Sequence, residues 1–127
     1  MIIGAHFLLH SRDPEADRGF FRDVLGFPAV DVGHGWLIFG MPPAEAAIHP
    51  IDSGASPPGR NEMLSAVLYL MCDDLGALIA TLQAKNVICT KIQETNWGLL
   101  TTIPLPSGDS IGLYQPKHAT ALHLNSK

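Results

Sequence analysis

The sequence predicts an α+β domain made of two tandem β-α-β-β-β modules. The main observation is an internal repeat: the run Ala5-His6-Phe7-Leu8-Leu9 and its following helix recur 61 residues later as Ala66-Val67-Leu68-Tyr69-Leu70 and a second helix. In both copies the helix is followed by an apolar run that begins with glycine, then by closely spaced prolines and a last short apolar run. A repeat of this length indicates two copies of one supersecondary unit that must pack together to bury their apolar faces.

Size and composition fit one globular domain spanning residues 1–127. The chain has 46% hydrophobic residues, which is enough for a core shared by both modules. Its net charge is −4 and its lysines and arginines are scattered, so we expect no nucleic-acid partner. No run reaches the roughly 18 to 20 apolar residues of a membrane span, so we expect no membrane association.

The N-terminus and the cysteines indicate a reducing compartment. Residues 1–4 lack the positively charged stretch of a signal peptide, so a cytoplasmic location is expected. Cys72 and Cys89 are isolated in apolar stretches without a Cys-x-x-Cys spacing. We therefore expect buried, reduced thiols rather than a disulfide or a metal pair.

The first module covers residues 2–51. Its first strand is predicted at residues 2–10, and Asp13 is the predicted N-cap of a helix with Pro14 in the first helical position. Apolar residues then recur at helical spacing as far as Gly26, which supplies a left-handed stop. Three short strands are predicted after it, at Val30–Val32, Trp36–Gly40 and Ala44–His49.

A polar linker rich in proline and glycine is predicted at residues 52–63, and the second module follows at residues 64–116. This module repeats the order, with Asp74 as the N-cap of its helix and Asn86 at the end of that helix. Its strands are predicted at Ser65–Cys72, Val87–Thr90, Gly98–Ile103 and Ser110–Gln115. Residues 117–127 hold little that can pack, which predicts a mobile tail.

The layout and several motifs resemble the vicinal oxygen chelate superfamily, which includes glyoxalase I, bleomycin-resistance proteins and extradiol dioxygenases. The resemblance covers residues 2–116. Its most specific pieces are the segments 6–13 (HFLLHSRD), 20–27 (FFRDVLGF), 106–108 (PSG) and 113–116 (LYQP). It implies that the two modules form a curled sheet around a cup, with metal ligands on the first and last strand of each module.

The ligand positions that the resemblance implies are His6, His49, Val67 and Gly112. Only the two histidines can coordinate a metal, whereas a catalytic metal usually has about three protein ligands and an open position. The alternation of side chains along a strand places His10 on the same face as His6, but roughly 13 Å away. The departure from the family pattern therefore predicts an incomplete metal site.

The leading hypothesis is a small-molecule-binding protein of unknown specificity that needs no cofactor. Polar contacts would come from His6 and His49, and the cup would be lined by Trp36, Tyr69, Met71, Thr101 and Tyr114. The alternative is a lyase, isomerase or dioxygenase that depends on Zn²⁺, Ni²⁺, Mn²⁺ or Fe²⁺, with a third ligand from Glu94 or from a partner chain. A third reading is a dimerisation module or scaffold in which the same large side chains fill the cup.

We also expect a homodimer. Two curled sheets have edges that need covering, and closed twofold association is the commonest solution for a soluble chain of this size. The resemblance also implies dimers. Candidate contact residues are Trp97 and the apolar residues of the tail, Ala121, Leu122 and Leu124.

Overall fold

The computed structural model describes residues 1–50 and 63–122. These residues form two helices and six strands in two separate sheets, which confirms the α+β class. In chain order the elements are α1 (Pro14–Asp23), β1 (Ala29–Asp31), β2 (Leu37–Phe39), β3 (Tyr69–Met71), α2 (Leu75–Ala84), β4 (Gln93–Glu94), β5 (Gly98–Pro104) and β6 (Ser110–Pro116). Among the described residues, no helix has the length and apolar character needed to cross a membrane.

Both helices begin at the predicted aspartates. The Asp13 carboxylate accepts a hydrogen bond from the Ala16 N–H at 3.3 Å, and the Asp74 carboxylate accepts one from the Ala77 N–H at 3.0 Å. Each bond satisfies a backbone donor that the first helical turn leaves free. The residues after the helices, Gly26 and Asn86, have φ values of 76° and 64°, the left-handed conformation that ends a helix.

The second module forms a four-stranded sheet in the order β3-β6-β5-β4, in which β3 runs parallel to β6 and the other pairs are antiparallel. One face of this sheet packs under α2 in the main core, where Leu75, Ile103 and Leu113 are fully buried. Cross-strand partners share a face. The opposite face, which we call the open face, therefore carries Tyr69, Tyr114 and the residues paired with them.

The first module keeps only the antiparallel pair β1-β2. The strands predicted at residues 2–10 and 44–49 are not formed, and both segments are almost entirely exposed. A strand exists only where a neighbour accepts and donates its backbone hydrogen bonds, and neither segment has such a neighbour in the described part of the chain. Their prediction as strands is therefore corrected for this single chain.

The predicted strand Val87–Thr90 is also absent. Thr90 does donate its N–H to the Thr102 carbonyl at 3.0 Å, but its side-chain hydroxyl accepts the Thr102 N–H at 2.9 Å. The hydroxyl thereby takes the position that a backbone carbonyl would hold in a regular ladder. The short β4 forms further along the chain instead.

The two cysteines are unpaired thiols, and partial burial raises the pKa of both Cys72 and Cys89. Most of the predicted linker, residues 52–62, lies outside the described residues.

A buried carboxylate links the two modules. Asp17 of α1 is 8% exposed, accepts a hydrogen bond from the Ser11 hydroxyl at 2.6 Å, and accepts another from the backbone N–H of Ser107 at 3.1 Å. Ser107 lies in the turn between β5 and β6, ninety residues along the chain. An exposed ion pair between Arg12 and Asp109 spans the same junction at 3.0 Å. Asp17 is the better candidate for stabilising it, because exposed ion pairs contribute little.

Asp17→Ala should lower the free energy of unfolding by about 1–3 kcal/mol, because it leaves the Ser107 N–H without its acceptor inside the junction. Chemical denaturation measures this change. The matched control is Asp23→Ala, which removes an exposed carboxylate of the same helix that pairs with Arg22. Equal losses in the two variants would contradict a special role for Asp17.

Candidate functional site

Four rings meet on the open face of the second module, and we call them the aromatic cluster: Tyr69, Trp97, Tyr114 and His118. The Tyr114 ring lies at its centre, with ring centroids 6.1 Å from Tyr69, 5.1 Å from Trp97 and 5.7 Å from His118. The tyrosine–tyrosine contact is edge-to-face, while His118 stacks on Tyr114 at an interplanar angle of 30°. Such offset arrangements are the favourable geometries for aromatic pairs.

Two glycines make room for the tyrosine rings. A Cβ atom at Gly112 would lie 2.2 Å from the Tyr69 ring, and a Cβ atom at Gly98 would lie 2.2 Å from the Tyr114 ring. Each ring therefore rests directly on the backbone of a neighbouring strand, in space that any other residue would occupy. The sequence pattern of two tyrosines and two glycines produces an open face covered by aromatic surface.

Tyr114 is the buried base of the cluster, only 6% exposed, whereas Tyr69 and Trp97 remain 43% and 48% exposed. The Tyr114 hydroxyl donates a hydrogen bond to the Trp97 carbonyl at 2.8 Å, which fixes the ring against the loop before β5. Burial raises the pKa of Tyr114, and the negative charge of Glu45 raises it further. The phenol is thus held neutral, with its hydroxyl already engaged.

The described part of the tail, residues 117–122, brings His118 into this cluster, and we call it the strap. Lys117 donates its backbone N–H to the Trp97 carbonyl at 2.9 Å and pairs through Nζ with Glu94 at 2.8 Å. Further along, the Ala121 N–H donates to Glu45 Oε1 at 2.8 Å. Residues 117–122 of the predicted mobile tail thus contact residues far away in sequence, and residues 123–127 lie outside the described residues.

His118 and Glu45 are the site residues that sequence reasoning missed. Besides stacking on Tyr114, His118 places Nε2 3.8 Å from Glu45 Oε2. Glu45 lies in the segment after β2, so the strap connects the open face of the second module to the first module. The sequence did contain one signal for His118: it follows Tyr114, an aromatic residue near the end of a predicted strand, by only four positions.

The family metal positions do not form a metal site in the described residues. His6 and His49 are both exposed, Val67 has no donor atom, and the space beside Gly112 holds the Tyr69 ring. No group of three or more His, Cys, Asp or Glu residues converges in residues 1–50 and 63–122. Glu94, the suggested third ligand, is engaged by Lys117, whose hydrogen bond lowers the pKa of that carboxyl. The donors among the described residues of one chain therefore do not fit a catalytic metal.

Two predicted lining residues, Thr101 and Trp36, lie elsewhere. Thr101 is a correction: it is paired with Leu113 on the helix-covered face, is buried, and donates its hydroxyl hydrogen to the Thr90 carbonyl at 2.6 Å. Trp36 stands at the turn before β2, where the Arg18 guanidinium lies 4.4 Å above its ring. Met71 is paired with Tyr114 on the open face, and it also lines an apolar cavity of about 170 Å³ together with residues of both modules: Leu25, Phe27, Leu70, Leu78 and Leu82.

A second, polar cleft of about 360 Å³ lies between α1 and the β1–β2 turn. Its lining includes Glu15, Arg18 and Arg22. Both guanidinium groups already have partners, Trp36 for Arg18 and Asp23 for Arg22. The aromatic cluster is accordingly the better candidate site.

Comparison with known proteins identifies the family. The model of the glyoxalase/bleomycin resistance protein/dioxygenase superfamily matches residues 4–112. The chain belongs to this superfamily. This membership confirms the resemblance drawn from the sequence, including the α+β fold of two related modules. A search of curated proteins found no match.

Two solved structures of proteins from Streptomyces sp. CB03234 are similar to this chain. One is TnmS3, described as an antibiotic binding protein, with 28% identity, a TM-score of 0.62, and coverage of 92% of this chain and 99% of the other. The second is a glyoxalase/bleomycin resistance protein with 30% identity, a TM-score of 0.52, and coverage of 81% and 91%. A lactoylglutathione lyase from Agrobacterium tumefaciens shares the fold at 17% identity and a TM-score of 0.57, covering 84% and 88%.

Gly112→Ala should destabilise the protein by about 1 kcal/mol, because the new methyl group must displace the Tyr69 ring. In a Tyr69→Leu background the same substitution should cost measurably less, giving a coupling energy of about 0.5 kcal/mol or more in a double-mutant cycle. Thermal or chemical unfolding of the four proteins supplies the values. Gly19→Ala, on α1 with nothing within 4 Å of the new atom, serves as a control and should be neutral or stabilising. Additive effects at residues 69 and 112 would contradict the contact.

Proposed function

We propose that this protein binds a small organic molecule, of the antibiotic class, on the aromatic cluster and without a metal cofactor. The observation that carries the proposal is the seating of Tyr69 and Tyr114 on Gly112 and Gly98, which covers the open face with aromatic surface. Binding sites for such molecules are mostly apolar and aromatic, with a few polar groups that fix orientation. The half-exposed rings of Tyr69 and Trp97 offer the apolar part.

The antibiotic class is suggested by TnmS3, which is described as an antibiotic binding protein and matches nearly the full length of both chains at 28% identity. The superfamily also contains bleomycin-resistance proteins by its own description. Binding and sequestration need only contact surface. They do not need the Lewis-acid metal that the superfamily's enzymatic chemistry would demand.

The test of binding uses Trp97 fluorescence in a Trp36→Phe variant, which leaves one tryptophan in the chain. Titration with bleomycin and a panel of aromatic antibiotics should give saturable quenching by at least one compound. Tyr69→Ala should lower the affinity for that compound about tenfold, which corresponds to a loss of ~1.4 kcal/mol of binding free energy. Ile88→Ala, at an exposed position after α2, is the matched control. Failure of the whole panel to change Trp97 emission would count against the proposed site.

The metal-free character has its own test in calorimetric titration with Zn²⁺, Ni²⁺, Mn²⁺ and Fe²⁺. We expect no stoichiometric site tighter than about a micromolar, because two exposed histidines cannot supply a closed coordination shell. His6→Ala and His49→Ala probe the family positions, and His10→Ala controls for surface histidines. A tight site that is lost specifically in His6→Ala would overturn this part of the proposal.

We further propose that the functional form is a homodimer, assembled through the first module. The β1–β2 hairpin exposes one apolar face formed by Val30, Val32, Trp36 and Ile38, and the unpaired N-terminal segment exposes Phe7, Leu8 and Leu9. An exposed apolar face of this kind, and an exposed segment with strand-like composition and no strand partner among the described residues, are both typical of an interface. Of the contact candidates from the sequence, Trp97 belongs to the aromatic cluster, and Leu124 lies outside the described residues.

Sedimentation equilibrium at micromolar concentration should give twice the 13.7-kDa chain mass. Val30→Asp combined with Ile38→Asp should shift the equilibrium to monomer, because two charges would be buried without partners in the interface. Ile88→Asp adds one such charge at another exposed position and should leave the dimer intact. A monomer mass for the unmodified chain at all concentrations would refute the assembly.

A further inference from the structure

A carboxylate stands at the edge of the aromatic cluster with part of its bonding capacity free. Glu45 accepts the Ala121 N–H on Oε1, while Oε2 has no hydrogen-bond donor among the described residues. The side chain is 21% exposed, so solvent reaches it only in part. An ionised carboxylate in such a position gains most from a cationic or strongly donating neighbour.

His118 is the group that currently fills the space between this carboxylate and the cluster. Its imidazole lies nearly parallel to the Tyr114 ring, at 30° and 5.7 Å, and its Nε2 is 3.8 Å from Glu45 Oε2. The arrangement therefore combines a flat ring on a tyrosine with a ring nitrogen directed at a carboxylate's edge, at a distance too long for a hydrogen bond. A ligand with the same two features, placed slightly closer, would satisfy both contacts better.

The charges around the cluster favour a cation. Lys117 already pairs with Glu94 at 2.8 Å, so these two opposite charges offset each other beside Trp97. Glu45 has no lysine or arginine partner in the described residues. Aromatic faces also attract cations through their ring quadrupoles. A negative ligand group at this place would meet the Glu45 carboxylate and the electron-rich faces of the rings.

We propose that Tyr69, Trp97 and Tyr114 of the aromatic cluster, together with Glu45, recognise planar aromatic molecules that carry a protonated nitrogen, and that His118 occupies the ligand position in the free protein. The ligand ring would replace the imidazole on Tyr114, with its nitrogen donating to Glu45 Oε2. The strap would move to admit it, which requires breaking the Ala121–Glu45 hydrogen bond. This inference rests on the proposed function and specifies the ligand chemistry of the same site.

The probes are three compounds that separate shape from charge: 9-aminoacridine as a planar cation, 9-anthracenecarboxylate as a planar anion, and 1-adamantylamine as a compact cation. Calorimetric titration measures their affinities for the full chain, and Trp97 emission in the Trp36→Phe variant locates the binding. We expect 9-aminoacridine to bind at least tenfold more tightly than either of the other two. Binding of the anion with equal or higher affinity would overturn the inference.

Two variants assign the roles of the residues. Glu45→Gln should weaken 9-aminoacridine binding about tenfold, since the amide oxygen can still accept the Ala121 N–H while the charge is lost. His118→Ala should strengthen binding severalfold, since the ring that competes for Tyr114 is gone. Glu15→Gln, on α1, is the matched control, because a net charge of −4 attracts any cation to some extent. Equal effects of Glu45→Gln and Glu15→Gln would overturn the assignment.

The remaining outcomes are also decisive. If Glu45→Gln fails to fold by circular dichroism, Glu45→Asp takes its place, and it should lose affinity because the shorter side chain withdraws the charge. Tight binding of 1-adamantylamine would show that a flat ring is not required and would refute the stacking part. If an antibiotic quenches Trp97 in a Tyr69-dependent way but none of the three probes binds, the proposed function stands and this inference fails.

Discussion

Space on the open face of the four-stranded sheet is limited by the two tyrosine rings that rest on its backbone. Tyr69 occupies the volume that a side chain at residue 112 would need, and Tyr114 does the same at residue 98. As a consequence, residue 112 can carry a side chain only if the Tyr69 ring moves away. A coordinating side chain there and an aromatic ring at residue 69 cannot both be accommodated without displacement of the ring. The lack of a metal-coordinating side chain at residue 112 and the aromatic surface formed by Tyr69 therefore have the same structural cause.

The surroundings of the cluster follow from this packing. With the Tyr114 ring in contact with Gly98, its hydroxyl reaches the Trp97 carbonyl, and the same carbonyl accepts the N–H of Lys117. This hydrogen bond fixes the beginning of the strap, and the next residue, His118, stacks on Tyr114. Polar contacts rather than apolar burial then tie the strap to Glu45. Segments held in this way open at low free-energy cost compared with core elements, which suits a cover over a binding surface.

The sequence was sufficient for local features and insufficient for contacts between distant segments. Asp13 and Asp74 were predicted as N-caps because capping depends on neighbours within one turn, and alternation along β3 and β6 placed Tyr69 and Tyr114 on one face. Thr101 was misplaced because alternation within a strand does not say which face of the sheet is covered. Thr101 lies on the helix-covered face because its cross-strand partner, Leu113, lies there. His118 and Glu45 are 73 residues apart, and no local sequence pattern predicts that they come close together.

The two copies of the repeat present different surfaces. The second copy pairs four strands, buries one face under α2 and keeps its aromatic residues together on the other. The first copy pairs only two strands and leaves Trp36 61% exposed beneath Arg18. Its contribution to the aromatic cluster is a single carboxylate, Glu45, delivered by the segment after β2. Among the described residues, the two copies therefore contribute unequally: the second carries the aromatic rings of the open face, whereas the first carries the exposed apolar hairpin and the Glu45 carboxylate.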